Sequence, residues 1–259
     1  KRQNFSHIYS RLFFKSDFAK IKMSENELEQ FKNSKEIKYE DALILTYLKG
    51  LLEGFGYEKY IEQVVIDEAH DYSYLQYLII SKVFKNANFT ILGDVNQTIN
   101  PYYKYKTLNE LTHLFPRSAY IELTKTYRSS AEIIAYTNKI LNLNHVCAIR
   151  KDNKIPVVLR EKLEYLEEDV THLQEKYKSI AIITRDSFAA EKVFNLLKDK
   201  VKISLIESNT IEFNKELVVL PAYIAKGLEF DSVIVYTDID SYFNNKELNL
   251  LYVACRRAQ

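Results

Sequence analysis

The run Ile61-Glu62-Gln63-Val64-Val65-Ile66-Asp67-Glu68-Ala69-His70-Asp71 sets acids directly behind three consecutive β-branched residues. Val64, Val65 and Ile66 predict a short strand buried on both faces, as in a parallel sheet, so the acids fall at its C-terminal tip. That tip opens onto the ligand crevice of a parallel α/β sheet, where a nucleotide and its metal would lie. Two carboxylates there can divide the work: one, Asp67, on Mg²⁺ directly or through water, the other, Glu68, orienting and deprotonating an attacking water. The same residues also suit a plain strand-to-helix junction with an acid-rich first turn and Asp71 as N-cap.

Further along, Gly93-Asp94-Val95-Asn96-Gln97-Thr98-Ile99-Asn100-Pro101-Tyr102 is polar and turn-rich, then aromatic. Such a loop could set Gln97 against a terminal phosphate while its aromatic end meets a second ligand. With 20 tyrosines in the chain, a surface loop covering apolar neighbours is an equally simple account. Arg128 stands between a predicted strand and a helix over 131–141 that Ser129 or Ser130 would cap, and its guanidinium fork could reach an anion from that corner. Gly227 would let the backbone approach a ligand closely, and Glu229 could accept hydrogen bonds from a ribose.

These residues need a frame. Apolar periodicity predicts helices within residues 1–60, including 39–49, then strand, helix, strand over 64–66, 72–84 and 89–92, a helix over 108–115 and a strand over 119–123. Strands are expected at 156–159, 179–184, 201–206, 217–220 and 232–236, with a helix at 187–197. Alternation of this kind defines an α/β chain with parallel sheets. At 259 residues and 47% hydrophobic composition, the chain can hold two modest domains, expected here as 1–123 and 124–259.

The 36 basic and 35 acidic residues leave a net charge of +1, so any surface for nucleic acid must be local. Cys147 and Cys255 have neither metal-ligand spacing nor a disulfide framework, and no apolar run is long enough to span a bilayer. A cytoplasmic protein with no membrane partner is expected. The chain starts without Met and stops inside what looks like a functional motif, as a fragment of a longer protein would.

Taken together, Asp67-Glu68-Ala69-His70-Asp71, Gly93-Asp94-x-x-Gln97 and Tyr127-Arg128-Ser129 resemble motifs II, III and IV of the UvrD/Rep-type superfamily 1 DNA helicases. The Gly-Asp-x-x-Gln loop sets the chain apart from the DEAH-box enzymes that Asp-Glu-Ala-His would otherwise suggest. Pro221-Ala222-Tyr223-Ile224-Ala225-Lys226-Gly227-Leu228-Glu229-Phe230 resembles motif V, with Tyr223 where many members carry His. Leu251-Tyr252-Val253-Ala254-Cys255-Arg256-Arg257-Ala258 resembles motif VI, with Arg257 aligned on the arginine finger and Arg256 in place of the usual Thr. The short interval between Arg185 and Pro221 leaves no room for a 2B insertion, which, with the Pro-x-Tyr form of motif V, is similar to the helicase-IV-like HelD branch.

The resemblance implies P-loop NTPase (RecA-like) parallel sheets: the end of a first helicase domain, then a second. It implies ATP between the domains with Mg²⁺ on Asp67, and Glu68 as base. Gln97, Arg128 and Arg257 would face the terminal phosphate, Gly227 and Glu229 would also touch the nucleotide, and Tyr102 and Tyr223 would touch nucleic acid. Its partners would be single-stranded or partially duplex DNA, or, along the HelD branch, RNA polymerase. A non-catalytic nucleic-acid-binding module is a further reading. The phosphate-cradling pattern G-x-x-x-x-G-K-[ST] does not occur, since no glycine at 50, 54, 56, 93 or 227 begins it. In the resembling enzymes that loop lies upstream of motif II, so this chain is expected to be inactive by itself.

Overall fold

A computed structural model describes residues 37–100, 104–144, 146–150, 157–160, 162, 165–210, 216–238, 240 and 242–258. The expected helices before residue 37 therefore lie outside the described residues. The described residues form two compact units: one runs to Gly93 and resumes over Tyr105–Tyr120, and the other comprises Asp94–Lys104 and the chain from Ile121 onward.

In the first unit, helix α1 (Tyr39–Glu53) precedes a parallel pair, β1 (Gln63–Ile66) and β2 (Asn88–Ile91), joined through helix α2 (Tyr74–Val83). This is the βαβ unit that the period change in the sequence predicts. Helix α2 starts at Ser73 rather than Asp71. Ser73 Oγ accepts the Gln76 backbone N–H while Gln76 Oε1 accepts the Ser73 N–H, a reciprocal cap that satisfies two otherwise orphaned donors. The expectation that β1 is buried on both faces is corrected. Ile66 is buried but Val65 is 62% exposed, because β1 has a single partner strand among the described residues. The helix expected at 108–115 is a 3₁₀ segment, Leu108–His113, capped by Thr107.

The second unit opens its regular structure with a two-residue pair, β3 (Lys125–Thr126) and β4 (Cys147–Ala148), around helix α3 (Ala131–Leu141). Its main sheet has four parallel strands in the order β6 (Ser204–Leu205), β7 (Leu217–Pro221), β5 (Ile180–Thr184), β8 (Ser232–Val235). Alternate residues of β5 and β7 enter two separate cores. Ile180, Ile182, Leu217 and Val219 pack with Val170 of α4 (Leu166–Gln174) and with Ala190, Val193 and Leu197 of α5 (Ser187–Leu197). Ala181, Ile183, Val218 and Leu220 pack on the other side with Ala222 and Ala225 of the short α6 (Ala222–Ala225), with Phe230, and with Ala254 of α7 (Leu248–Cys255). Every residue of β5 and β7 is buried, the burial a doubly covered parallel sheet requires.

Two expected strands are absent among the described residues. Residues 119–123 are extended but unpaired, with Ile121 and Leu123 76% and 88% exposed, and residues 157–159 pair with nothing in either sheet. Apolar alternation alone does not make a strand where no neighbour accepts its hydrogen bonds. The strand expected over 201–206 is cut to Ser204–Leu205 for the same reason, since only those two residues pair with β7.

Candidate functional site

In the first unit the motif is a turn held from several sides. Asp67 Oδ1 accepts the Glu68 backbone N–H at 2.8 Å. Glu68 itself adopts a left-handed conformation, φ 48° and ψ 40°, which costs a non-glycine residue on the order of 1–3 kcal/mol and needs surrounding structure to impose it. That structure is present. Ala69 N–H donates to Leu92 O at 2.8 Å, and the buried Tyr77 hydroxyl donates to Ala69 O at 2.6 Å. Gly93 passes so close that a Cβ there would lie 3.0 Å from Ala69 N and 3.1 Å from His70 N, so the approach of the two strand tips requires glycine.

His70 is wholly buried in this turn, its Nε2 3.3 Å from Glu68 Oε2 and 3.7 Å from Asp71 Oδ1. The carboxylates of Asp67 and Glu68 are exposed at the end of β1, where the sequence predicts them. Among the described residues no group of three or more His, Cys, Asp or Glu side chains could hold a metal ion. A single exposed carboxylate nonetheless fits Mg²⁺, which keeps most of its waters and takes one or two protein oxygens alongside phosphate.

In the second unit, Asp94 organises a tight loop. Its Oδ1 accepts Asn96 N–H at 3.0 Å, capping the 3₁₀ turn Val95–Gln97, and its Oδ2 accepts Gln97 Nε2–H at 3.0 Å. The other end of that amide, Gln97 Oε1, accepts from Arg257 Nη2 at 3.0 Å. Arg257 is 2% exposed and also donates from Nε to Val253 O at 3.1 Å, while Phe230 N–H donates to Arg257 O at 2.9 Å. Helix α7 grips the loop a second time, with Asn249 Nδ2 donating to Asn96 O at 2.7 Å. Burial pushes the Tyr252 hydroxyl above its ordinary pKa, an effect that the neighbouring Arg256 opposes.

Arg128 stands at the corner between β3 and α3 as expected, and Ser130, not Ser129, caps the helix by accepting Ile133 N–H. Arg128 forms an ion pair with Glu229, so these two candidate nucleotide contacts meet each other. Gly227 has φ 85° with open space where a Cβ would be, so glycine serves the left-handed backbone there. Tyr223, on α6, is 43% exposed. Tyr102 lies outside the described residues.

Within the second unit, then, Gln97 meets Arg257, and Arg128 meets Glu229. The sequence reading missed the part played by Asp94 and Asn249. The three-residue spacing of Asp94 and Gln97, short enough for side chains to meet across one turn, carries a signal for the first. Nothing local signals the second.

No protein-family model matches the chain. Over 205 residues it is 22% identical to the ATP-dependent DNA helicase srs2 of Schizosaccharomyces pombe, an alignment covering 71% of this chain and 23% of that protein. Over 141 residues it is 29% identical to an ATP-dependent helicase/nuclease from Staphylococcus haemolyticus, covering 48% of this chain and 11% of that protein. The chain thus spans under a quarter of the length of these curated relatives. Among solved structures, the C-terminal domain of a possible DNA helicase from Lactobacillus plantarum WCFS1 is 29% identical, with TM-score 0.41, covering 51% of this chain and 82% of that one. What the fold and the comparisons define is an α/β chain with parallel sheets whose distant relatives are ATP-dependent helicases.

Proposed function

We propose that this chain is part of an ATP-dependent DNA helicase or translocase of the superfamily 1 kind, built on RecA-like sheets, working with a phosphate-cradling loop that its own sequence does not contain. One observation carries the reading: Gln97 and Arg257, 160 positions apart and drawn from two different helicase-like motifs, are hydrogen-bonded to each other in the second unit. A phosphate sensor and an arginine finger that act on the same group have to be held in register, and this contact does so.

The roles follow from chemistry. Asp67 is a hard oxygen donor suited to Mg²⁺, which would neutralise charge on the phosphates when bound. Glu68 is an exposed carboxylate of fixed backbone geometry, able to accept a proton from water. Arg257 and Arg128 supply fixed positive charge toward an anion, and such fingers raise phosphoryl-transfer rates by roughly 10³-fold or more. Tyr102 and Tyr223 are the proposed base-stacking contacts to single-stranded DNA.

The test uses a protein that contains this chain together with a P-loop. Glu68→Gln is expected to bind ATP nearly as well as wild type and to hydrolyse it far more slowly, because the amide keeps the shape and loses the base. Arg257→Ala is expected to slow single-turnover hydrolysis by roughly 10³-fold. Normal hydrolysis in both variants, or hydrolysis that single-stranded DNA does not stimulate, would remove the proposal. RNA polymerase captured by the same protein in the absence of unwinding would favour the HelD-like remodeller instead.

A further inference from the structure

We infer that Arg256, the neighbour of the proposed finger, is a positioning residue that locks the Gln97 amide toward Arg257; the inference rests on the function proposed above.

Arg256 is buried, with its side chain 10% exposed, and a buried guanidinium is costly unless its charge and donors are matched. It is matched on two sides. Nη1 lies 3.4 Å from Asp94 Oδ2 and also donates to the Tyr252 hydroxyl, while the guanidinium carbon sits 5.2 Å from the centre of the Tyr252 ring. Asp94 consequently receives three donors: Asn96 N–H, Gln97 Nε2–H and Arg256 Nη1–H.

The Gln97 amide has one end that only donates and one that only accepts. A carboxylate can only accept, so Asp94 selects the Nε2 end and leaves Oε1 as the atom offered to Arg257. The two consecutive arginines thus divide the work at the C-terminus of α7. One holds the carboxylate that orients the amide, and the other takes the amide. Asp94 also lies between two positive groups that would otherwise repel each other.

Loss of Arg256 should therefore free Asp94 and let the Gln97 amide reorient, with no group removed from the proposed reaction itself. Two measurements test this. In the 259-residue chain, ¹⁵N spectra of the Gln97 side-chain amide and the Arg257 Nε–H report the network directly. Arg256→Met is expected to shift both signals and speed their solvent exchange by about tenfold, the factor for loosening one charged hydrogen bond, while the β5 amides stay in place. Arg256→Lys, which keeps the charge but not the fork or the ring contact, should fall between and provides the readout if the Met variant does not fold.

In the ATP-hydrolysing protein, Arg256→Met should lower kcat by about tenfold with little change in the KM for ATP, and Asp94→Asn combined with it should be no worse than either alone. Unchanged Gln97 and Arg257 signals in the variants, or additive losses in the double variant, overturn the inference. A wild-type protein that hydrolyses no ATP defeats the proposed function instead, and the spectra still decide the role of Arg256.

Discussion

Cys255 and Arg256 are adjacent, and the interior treats them differently because only one has a counter-charge. Arg256 is matched by Asp94, whereas burial pushes the Cys255 thiol from its ordinary 9.0 to about 12. The thiol is therefore neutral at physiological pH and a poor nucleophile, since the thiolate is the reactive form. We expect iodoacetamide to modify the exposed Cys147 long before Cys255, which mass spectrometry of the two peptides would show. The linkage sign is fixed by the same shift. An unfolded thiol loses its proton near 9.0 while the folded one keeps it to about 12, so the unfolded state binds fewer protons across that window. Stability from this group is full below the lower value and is lost as pH rises through the window. Urea titrations on either side of it should show the loss, and Cys255→Ala should flatten it. Equal alkylation of both cysteines would contradict the burial of α7.

At the scale of elements, caps decide where the candidate residues stand. Ser73 begins α2 just after the turn that holds Glu68 and His70, and its reciprocal bonds with Gln76 set the angle at which the chain leaves that turn. Ser73→Ala is expected to cost about 1 kcal/mol, read as faster amide exchange across α2. If exchange were unchanged, the packing of Tyr77 would have to be sufficient to hold the helix. The helices at Ala131–Leu141 and Ser187–Leu197 match the sequence expectation at both ends, because Ser130 and Asp186 cap them through bonds made three residues along the chain. Strands proved less legible. Residues 119–123 have apolar alternation but no partner, and β1 was expected to be covered on a face that leaves Val65 exposed.

At the scale of the whole molecule, the chain carries the candidate base, sensor and fingers but no phosphate-cradling loop in its sequence. By itself it is expected to release no phosphate from ATP above background in a steady-state assay, with or without single-stranded DNA. Turnover that disappears in Glu68→Gln would show that the phosphates are held by residues other than a P-loop. No helix among the described residues is long and apolar enough to cross a membrane.

From the sequence alone came the acids at the tip of β1, the glycine and glutamine of the following loop, the arginine before α3, and the alternation that builds parallel sheets. Each is written locally: a β-branched run, a capping residue and a turn signal act over a few positions, within reach of backbone hydrogen bonding. Only the tertiary structure decided which arginine meets Gln97, that Asp94 is shared between that amide and Arg256, and that Arg128 pairs its charge with Glu229. Those pairs join residues roughly a hundred or more positions apart, and their geometry depends on how α7 packs against the sheet through Ala254 and on the C-terminal end of that helix, where two neighbouring side chains diverge. Periodicity places a residue on an element, but a hydrogen bond a few ångströms long between distant elements exists only once both are packed.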